Sequence, residues 1–379
     1  MPPAANPPAT TTVRDLRLDF FRGLSLWFIF LDHVPSNTVS WITIQNYGFS
    51  DAAEVFVFIS GYTAAFVYGR VMRERGFIVG SARILRRVWQ LYVAFVFLVV
   101  IYIAQIAYVA KRFDNPLFAE EMGLLAFLRQ PEVMLTEMLR LKFALGNVDV
   151  LPLYIVLMLA FPVMLWLVLR SPYLGLAISL VVYAVAKYAG FNLTLDLIAR
   201  EWYFNPFAWQ LLFVIGAWCA VGGALWLSAL YRSNLVLVIC LIYLSFALWL
   251  STTWLFPAVA QRLPGWLFIF PLDKTGLSPL RLTHFLALAI VVVRFVPLEA
   301  GFLRSAWAKP LILCGQHSLE IFCLGVFLSF TAYFVLVEIS AKVWMQVAVS
   351  LTGVLLMVAL ASLMTWYKDL DRRVRQPAA

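Results

Sequence analysis

Residues 17–34 read RLDFFRGLSLWFIFLDHV, an apolar run that carries Asp19, Arg22, Asp32 and His33 within a single helical length. A charge at the middle of a bilayer costs about 2.5–3.5 kcal/mol, and each Leu, Ile or Phe returns about 0.3–0.6. About eleven apolar residues therefore barely offset two buried charges. A helix of this composition needs partners on other helices or a water-filled cavity. Its setting is a polytopic membrane bundle, because the rest of the chain is equally apolar. Of 379 residues, 63% are hydrophobic and 13% charged, with 31 Phe and 14 Trp, and mean hydropathy is +0.87. Too little polar surface remains to cover a soluble globule, which excludes an ordinary cytosolic enzyme.

Apolar runs of spanning length occur about ten times: 18–36, 52–69, 88–110, 150–169, 173–190, 206–226, 235–256, 281–298, 309–337 and 343–366. The expected fold is all-α, one membrane domain over 18–366 with about ten transmembrane helices. A Pro-, Ala- and Thr-rich cytoplasmic tail over 1–17 precedes it and a basic tail over 367–379 follows. The first apolar run lacks a small-residue cleavage site, so it reads as a retained helix. The net charge of +9 does not suggest nucleic acid, because the basic residues lie where membrane topology needs them. The segment RVMRERGFIVGSARILRR, 70–87, holds Arg70, Arg73, Arg75, Arg83, Arg86 and Arg87 against Glu74, and belongs on the cytoplasmic side. The tail KDLDRRVRQ agrees, giving two cytoplasmic termini. The connections at 37–51, 111–146, 191–205 and 257–280 then face out. Within 111–146, EEMGLLAFLRQPEVMLTEMLRLKFAL sets apolar residues at helical spacing between charges and predicts an interfacial amphipathic segment broken at Pro131.

Arg22 and His33 are eleven positions apart. At about 100° per residue that is about 20° past three full turns, so both project from one face, about 16 Å apart along the axis. One face offers a cation near the cytoplasm and a titratable base near the exterior. The structural alternative is an Arg22 that snorkels to headgroups and a His33 that bonds a neighbouring carbonyl. Pro35 predicts that the helix ends or kinks just after His33. Asp32 neighbours His33 but points about 100° away on an intact helix, so a dyad between them requires a broken one.

The next helix opens GFSDAAEVFVFISGY, 48–62. Asp51 reads as an N-cap and Glu54 as its capping-box partner; Glu54 is equally a carboxylate at the depth of His33. His284 lies at that depth too. His317 falls near the midplane with Glu320 on its face, and Arg294 lies deep toward the cytoplasm. Together these predict a polar route: Arg22 and Arg294 inside, His317 and Glu320 midway, His33, His284 and Glu54 outside. Three histidines on three helices also raise haem or a metal, but nothing resembles HExxH and the depths do not match for a bis-His haem; no metal is expected. The four cysteines, at 219, 240, 314 and 323, form no CxxC, and neither a disulfide scaffold nor a zinc site is expected. Aromatics gather at outer ends, as Trp202, Tyr203, Phe204 and Trp209, and again as Trp254 and Trp266. An interfacial belt accounts for such a pattern; a sugar-stacking surface with Asn205, Gln210 and Asn147 as hydrogen-bonding groups is the functional alternative.

The stretch from Arg14 to Tyr62, RDLRLDFFRGLSLWFIFLDHVPSN followed by GFSDAAEVFVFISGY, resembles the signature of the OpgC family of membrane succinyltransferases. The Arg22–His33 spacing is similar to that in the first helix of the wider integral-membrane acyltransferase superfamily. LPLYIVLMLAFP at 151–162, FNPFAWQLLF at 204–213, RLTHFLALA at 281–289 and GQHSLEIFCLG at 315–325 extend the resemblance over most of the chain. It implies an inner-membrane enzyme of Gram-negative bacteria that transfers succinyl, or another acyl group, from cytoplasmic succinyl-CoA to hydroxyls of periplasmic glucans. Acyl-CoA is then a co-substrate, and no cofactor is tightly bound. It also implies that His33 is essential and that Arg22 belongs to the acyl-donor path.

On that reading His33 is the general base, with Asp32 and Glu54 as its candidate partners. Arg22, Arg294, Arg70 and Arg73 are candidates for the CoA phosphates. Asp51, Lys274, Arg281, His284, His317, Glu320, Asn205, Trp209 and Gln210 are candidates for the substrate side, and Lys274, Arg281 or Arg262 would meet a succinyl carboxylate. The rival is a glycan transporter or flippase that uses buried His and carboxylates as a proton relay; it would be favoured by inverted repeats, and the sequence contains none.

Overall fold

The computed structural model describes residues 15–142, 145–195, 200–253, 264–265 and 272–375. The first fourteen residues, most of the 254–271 stretch with Trp254, Arg262 and Trp266, and the last four residues lie outside it.

The described chain is helical throughout, apart from short connections and a two-residue ladder, Thr194–Leu195 against Arg200–Glu201. Each apolar run read from the sequence lies mainly on helix. Among the described residues six helices are long and apolar enough to cross a membrane: Ala52–Arg112, Val150–Arg170, Pro206–Trp226, Asn234–Thr252, Ser318–Glu338 and Val343–Arg372. Pro172–Tyr188 is apolar but shorter, and Leu16–Asp32 carries the charges described above.

Leu16–Asp32 starts where Asp15 accepts the backbone N–H of Arg17, and it stops with His33 as C-cap. Pro35, two residues on, disfavours helical geometry before it. The Ala52–Arg112 element is 61 residues long, which straight would be about 92 Å, some three times the hydrocarbon thickness. It breaks at Gly76, where φ is 83° and ψ 170°, a region open to glycine at little cost. The two arms fold back on each other there, since a Cβ on Gly80 would lie 2.9 Å from Met72 Cβ. The Arg-rich segment is therefore the tip of a helical hairpin.

Two readings change. The 111–146 connection forms three short helices, Leu117–Glu121, Leu125–Arg129 and Pro131–Leu139, with Pro131 at the start of the third. It packs on the bundle instead of lying only along an interface: Phe118, Met122, Leu124 and Met138 are buried, Tyr102 Oη donates to Met122 Sδ at 3.3 Å, and Tyr92 Oη donates to Leu139 O at 2.8 Å. The 309–337 run is two helices, Lys309–Gln316 and Ser318–Glu338, separated at His317.

Leu16–Asp32 sits at the centre, against Ala52–Arg112, Lys309–Gln316 and Ser318–Glu338. Backbones touch at its inner end: a Cβ added to Gly23 would lie 1.9 Å from Leu311 O, and one added to Gly315 would lie 1.9 Å from Asp19 O. Small residues permit this approach, and in lipid such packing replaces the hydrophobic drive. Because the obstructing atoms are main chain, Gly23→Val forces the helices apart. We expect a loss of about 1–3 kcal/mol or more, read as a lowered melting temperature of the detergent-solubilised protein; an unchanged melt would contradict the packing.

Candidate active site

Two polar levels stand along the Leu16–Asp32 helix, the inner beside its N-terminal half and the outer at its C-terminal end. The inner one is a cleft of about 140 Å³ lined by Arg22, Arg87, Ser60, Thr63, Tyr68 and Tyr154, with Phe56, Leu151, Ser318 and Phe322 among its other walls. Arg22 donates to Thr63 Oγ1 at 2.5 Å and to Ile59 O at 3.2 Å. Ser60, Thr63, Ala64 and Val67 repeat at the i, i+3, i+4, i+7 spacing that puts one helical stripe on the cleft. None of the four is singled out by the sequence reading above, although their helical spacing carries the signal. The contributions of Arg87 and Tyr154, from distant positions, carry no such signal.

The other cations expected here lie elsewhere. Arg70 and Arg73 are exposed on the hairpin, Arg70 paired with Glu74 at 2.8 Å. Arg294 is exposed and donates to Asn234 Oδ1 at 3.1 Å. None of the three lines the cleft.

The outer level surrounds the end of the same helix. His33 is half-buried; among the described residues its imidazole makes no hydrogen bond, and the charges of Lys274 and Asp51 act on it. Asp32 does not orient the ring. Its Oδ1 accepts from Thr43 Oγ1 and Gln45 Nε2, both at 2.7 Å, which ties the 38–46 turns beside His33. The dyad considered from sequence is not formed, because adjacent helical positions diverge.

Lys274 and Asp51, whose charges act on His33, belong to a four-membered ion cluster. Asp51 Oδ1 caps the Ala52–Arg112 helix by accepting from Ala53 N at 2.8 Å, while Glu54 Oε2 accepts from Asp51 N at 2.9 Å, completing the capping box. Arg281 then reaches Glu54 Oε1 through Nε at 2.7 Å and Asp51 Oδ2 through NH2 at 2.9 Å. Lys274 Nζ meets Asp51 Oδ2 at 2.7 Å. Burial alone would raise the Asp51 carboxyl pKa, but Lys274 and Arg281 outweigh it and hold the group below its ordinary range. Burial likewise opposes the charge on Lys274, and Asp51 more than restores it. Glu54 is 0% exposed, and it works as cap and counter-ion through Asp51 N and Arg281; among the described residues it makes no hydrogen bond to His33.

The loop bearing Lys274 is pinned on several sides. Trp209 Nε1 donates to Lys274 O at 3.0 Å, Asn205 N to Thr275 O at 3.0 Å and Tyr183 Oη to Leu277 O at 2.8 Å; Lys187 Nζ pairs with Asp273 at 2.5 Å. The Lys274 ammonium lies 5.9 Å and 5.6 Å from the ring centres of Tyr203 and Phe204. Trp209, Asn205 and Gln210, considered above as sugar contacts, are buried scaffold. Asn205 caps its helix through Phe207 N at 3.0 Å and donates to Phe191 O at 2.7 Å. Gln210 exchanges bonds with Ser179 at 2.6 and 2.7 Å.

The remaining histidines are also engaged. His284 Nδ1 pairs with Ser50 Oγ at 2.7 Å, and its ring packs on Gly48 and Phe49. His317 belongs to the inner end, not the midplane: Gly315, two residues before it, meets Asp19 O, and its Nε2 and Nδ1 lie 2.9 Å from Thr365 Oγ1 and 3.3 Å from Lys368 Nζ. Thr365 donates to Ala361 O, so it accepts from Nε2–H, and Nδ1 accepts from Lys368. Glu320 is exposed and lines no shared site with it.

Among the described residues the cleft does not extend to the outer level, so the polar route expected from the sequence is not open in this structure. Arg22 lies opposite Ile59–Thr63, so in antiparallel register Phe56, the outermost cleft residue of that arm, faces about Trp27. Six residues, about 9 Å at 1.5 Å per residue, then separate it from His33. Ile29, Phe30 and Leu31 are buried in that interval.

The described chain is thus a helical membrane protein with a basic cleft at one level of its first helix and an imidazole at the end of that helix. The family comparison agrees: the model described as OpgC protein matches residues 14–369, and the chain belongs to the OpgC family. Searches of curated proteins and of solved structures find no significant match.

Proposed function

We propose that this protein is an inner-membrane O-acyltransferase of bacteria, with ten spans and both termini cytoplasmic. It takes a succinyl group from succinyl-CoA on the cytoplasmic side and delivers it to a hydroxyl of a periplasmic glucan. The observation that carries this reading is the two-level arrangement, with the Arg22–Arg87 cleft on the side of the Arg-rich hairpin and His33 about 16 Å farther out on the same helix. A donor with anionic phosphates at one end and a thioester at the end of a long flexible arm suits that separation.

In this mechanism the phosphates bind in the cleft and the arm threads outward as Phe56 and its neighbours rotate aside. Neutral His33 removes the proton of the attacking glucan hydroxyl. The hydroxyl oxygen bonds to the thioester carbonyl carbon, the C–S bond breaks, and the proton leaves with the thiolate as CoA thiol. The products are the O-acyl glucan and CoA.

The test is transfer of label from succinyl-CoA to glucan by the purified protein, with mass analysis of the product. Arg22→Gln should raise KM for the acyl donor about 10- to 100-fold, the worth of a charge-assisted hydrogen bond, and leave KM for the glucan unchanged. Transport of intact glucan with no loss of acyl from CoA would favour the transporter reading instead.

A further inference from the structure

Within the outer cluster the two cations are unequal. Arg281 has only 10% of its side chain exposed, and both Nε and NH2 are held by Glu54 and Asp51. Lys274 is 28% exposed, and among the described residues its ammonium has one oxygen partner, Asp51. An ammonium has three N–H donors, so two remain. The Asp51 oxygen that Lys274 shares is also held by Arg281, and the other oxygen caps the helix. Lys274 can thus turn toward an incoming anion without stranding a buried carboxylate. The Tyr203 and Phe204 rings keep the ammonium in place while it turns, and the pinned loop fixes its backbone.

The charges fit such a visitor. Asp51, Glu54, Lys274 and Arg281 sum to zero, so an added carboxylate meets no net repulsion. It would also offset the imidazolium that forms on His33 as the proton moves, because Lys274 and Asp51 lie within electrostatic reach of that ring.

Resting on the acyl-CoA reading above, we propose that Lys274 is the specificity-determining residue for the acyl group, binding a free carboxylate at the far end of the acyl chain and so selecting dicarboxylic acyl donors. A neutral acyl chain of the same length leaves the ammonium with Asp51 and gains nothing.

The comparison that isolates this contact is succinyl-CoA against butyryl-CoA, whose acyl group has the same length and ends in a methyl. In the wild type the kcat/KM ratio should favour succinyl-CoA by about 10- to 100-fold. Lys274→Met should bring that ratio toward one, and Lys274→Arg should keep most of it. Should Lys274→Met not yield monodisperse protein, Lys274→Gln, which retains a donor to Asp51, carries the same expectation. A wild-type ratio near one, or a ratio unaltered in a folded Lys274→Met or Lys274→Gln variant, overturns the proposal while leaving acyl transfer intact. Failure of the wild type to transfer from any acyl-CoA overturns the donor reading and this inference with it.

Discussion

His33→Ala should lower acyl transfer by about 10²–10⁴-fold, the usual contribution of a general base, with little change in stability. The second half of that expectation comes from the environment of the ring. It is half-buried at the C-cap of Leu16–Asp32, and among the described residues it bonds to nothing, so truncation breaks no network. Donor binding should also survive, because the cleft at Arg22 shares no residue with the outer level. A folded His33→Ala variant that binds acyl-CoA normally and does not turn over is the expected phenotype. Retention of near wild-type turnover would remove the imidazole from the chemistry.

Arg281→Met should have the opposite profile, a large loss of stability. It strands Glu54, which is 0% exposed, as a buried carboxylate without its guanidinium, and leaves Asp51 with Lys274 alone. Breaking a buried pair by removing one partner costs about 3–5 kcal/mol, enough to unfold a marginal protein. The diagnostic is the double variant. Adding Glu54→Gln removes the uncompensated charge and should recover part of the loss, whereas independent sites would add. Unfolding midpoints of the wild type, the two single variants and the double variant in mixed micelles measure this coupling. A purely additive result would show that the Arg281–Glu54 contact is not what holds the outer ends of these helices together.

Much of the local architecture is legible in the sequence. The Arg22–His33 register follows from helical repeat alone, the end of the helix from Pro35, and the capping box from Asp51-x-x-Glu54. Each concerns residues a few turns apart, where backbone geometry dictates direction. What escapes is partnership across long separations: Arg281 meets Glu54 across 227 positions, and only the folded chain brings them together.

The same limit applies to the polar residues that find their partners within the fold. A polar side chain in a membrane sequence reads as a functional site by default, yet Asn205 bonds the backbone, Gln210 pairs with Ser179, His284 with Ser50, and Arg281 with Asp51 and Glu54. His317 lies beside the start of the first helix because Lys309–Gln316 runs antiparallel to Leu16–Asp32, with Leu311 at Gly23 and Gly315 at Asp19, a direction the sequence does not reveal. Arg70, Arg73 and Arg294 were candidates for charge alone; Arg87 lines the cleft because it follows the Gly76 reversal, which turns its arm back toward Arg22.

The central claim is that one chain carries an acyl group across the bilayer between these two levels. It is tested most directly in sealed proteoliposomes of uniform orientation, with glucan enclosed on the side of His33 and labelled succinyl-CoA added only on the side of the Arg-rich hairpin. Label should accumulate on the enclosed glucan while CoA thiol appears outside, and His33→Ala should suppress both. Label that reaches the glucan only when donor and acceptor share a compartment would contradict the account.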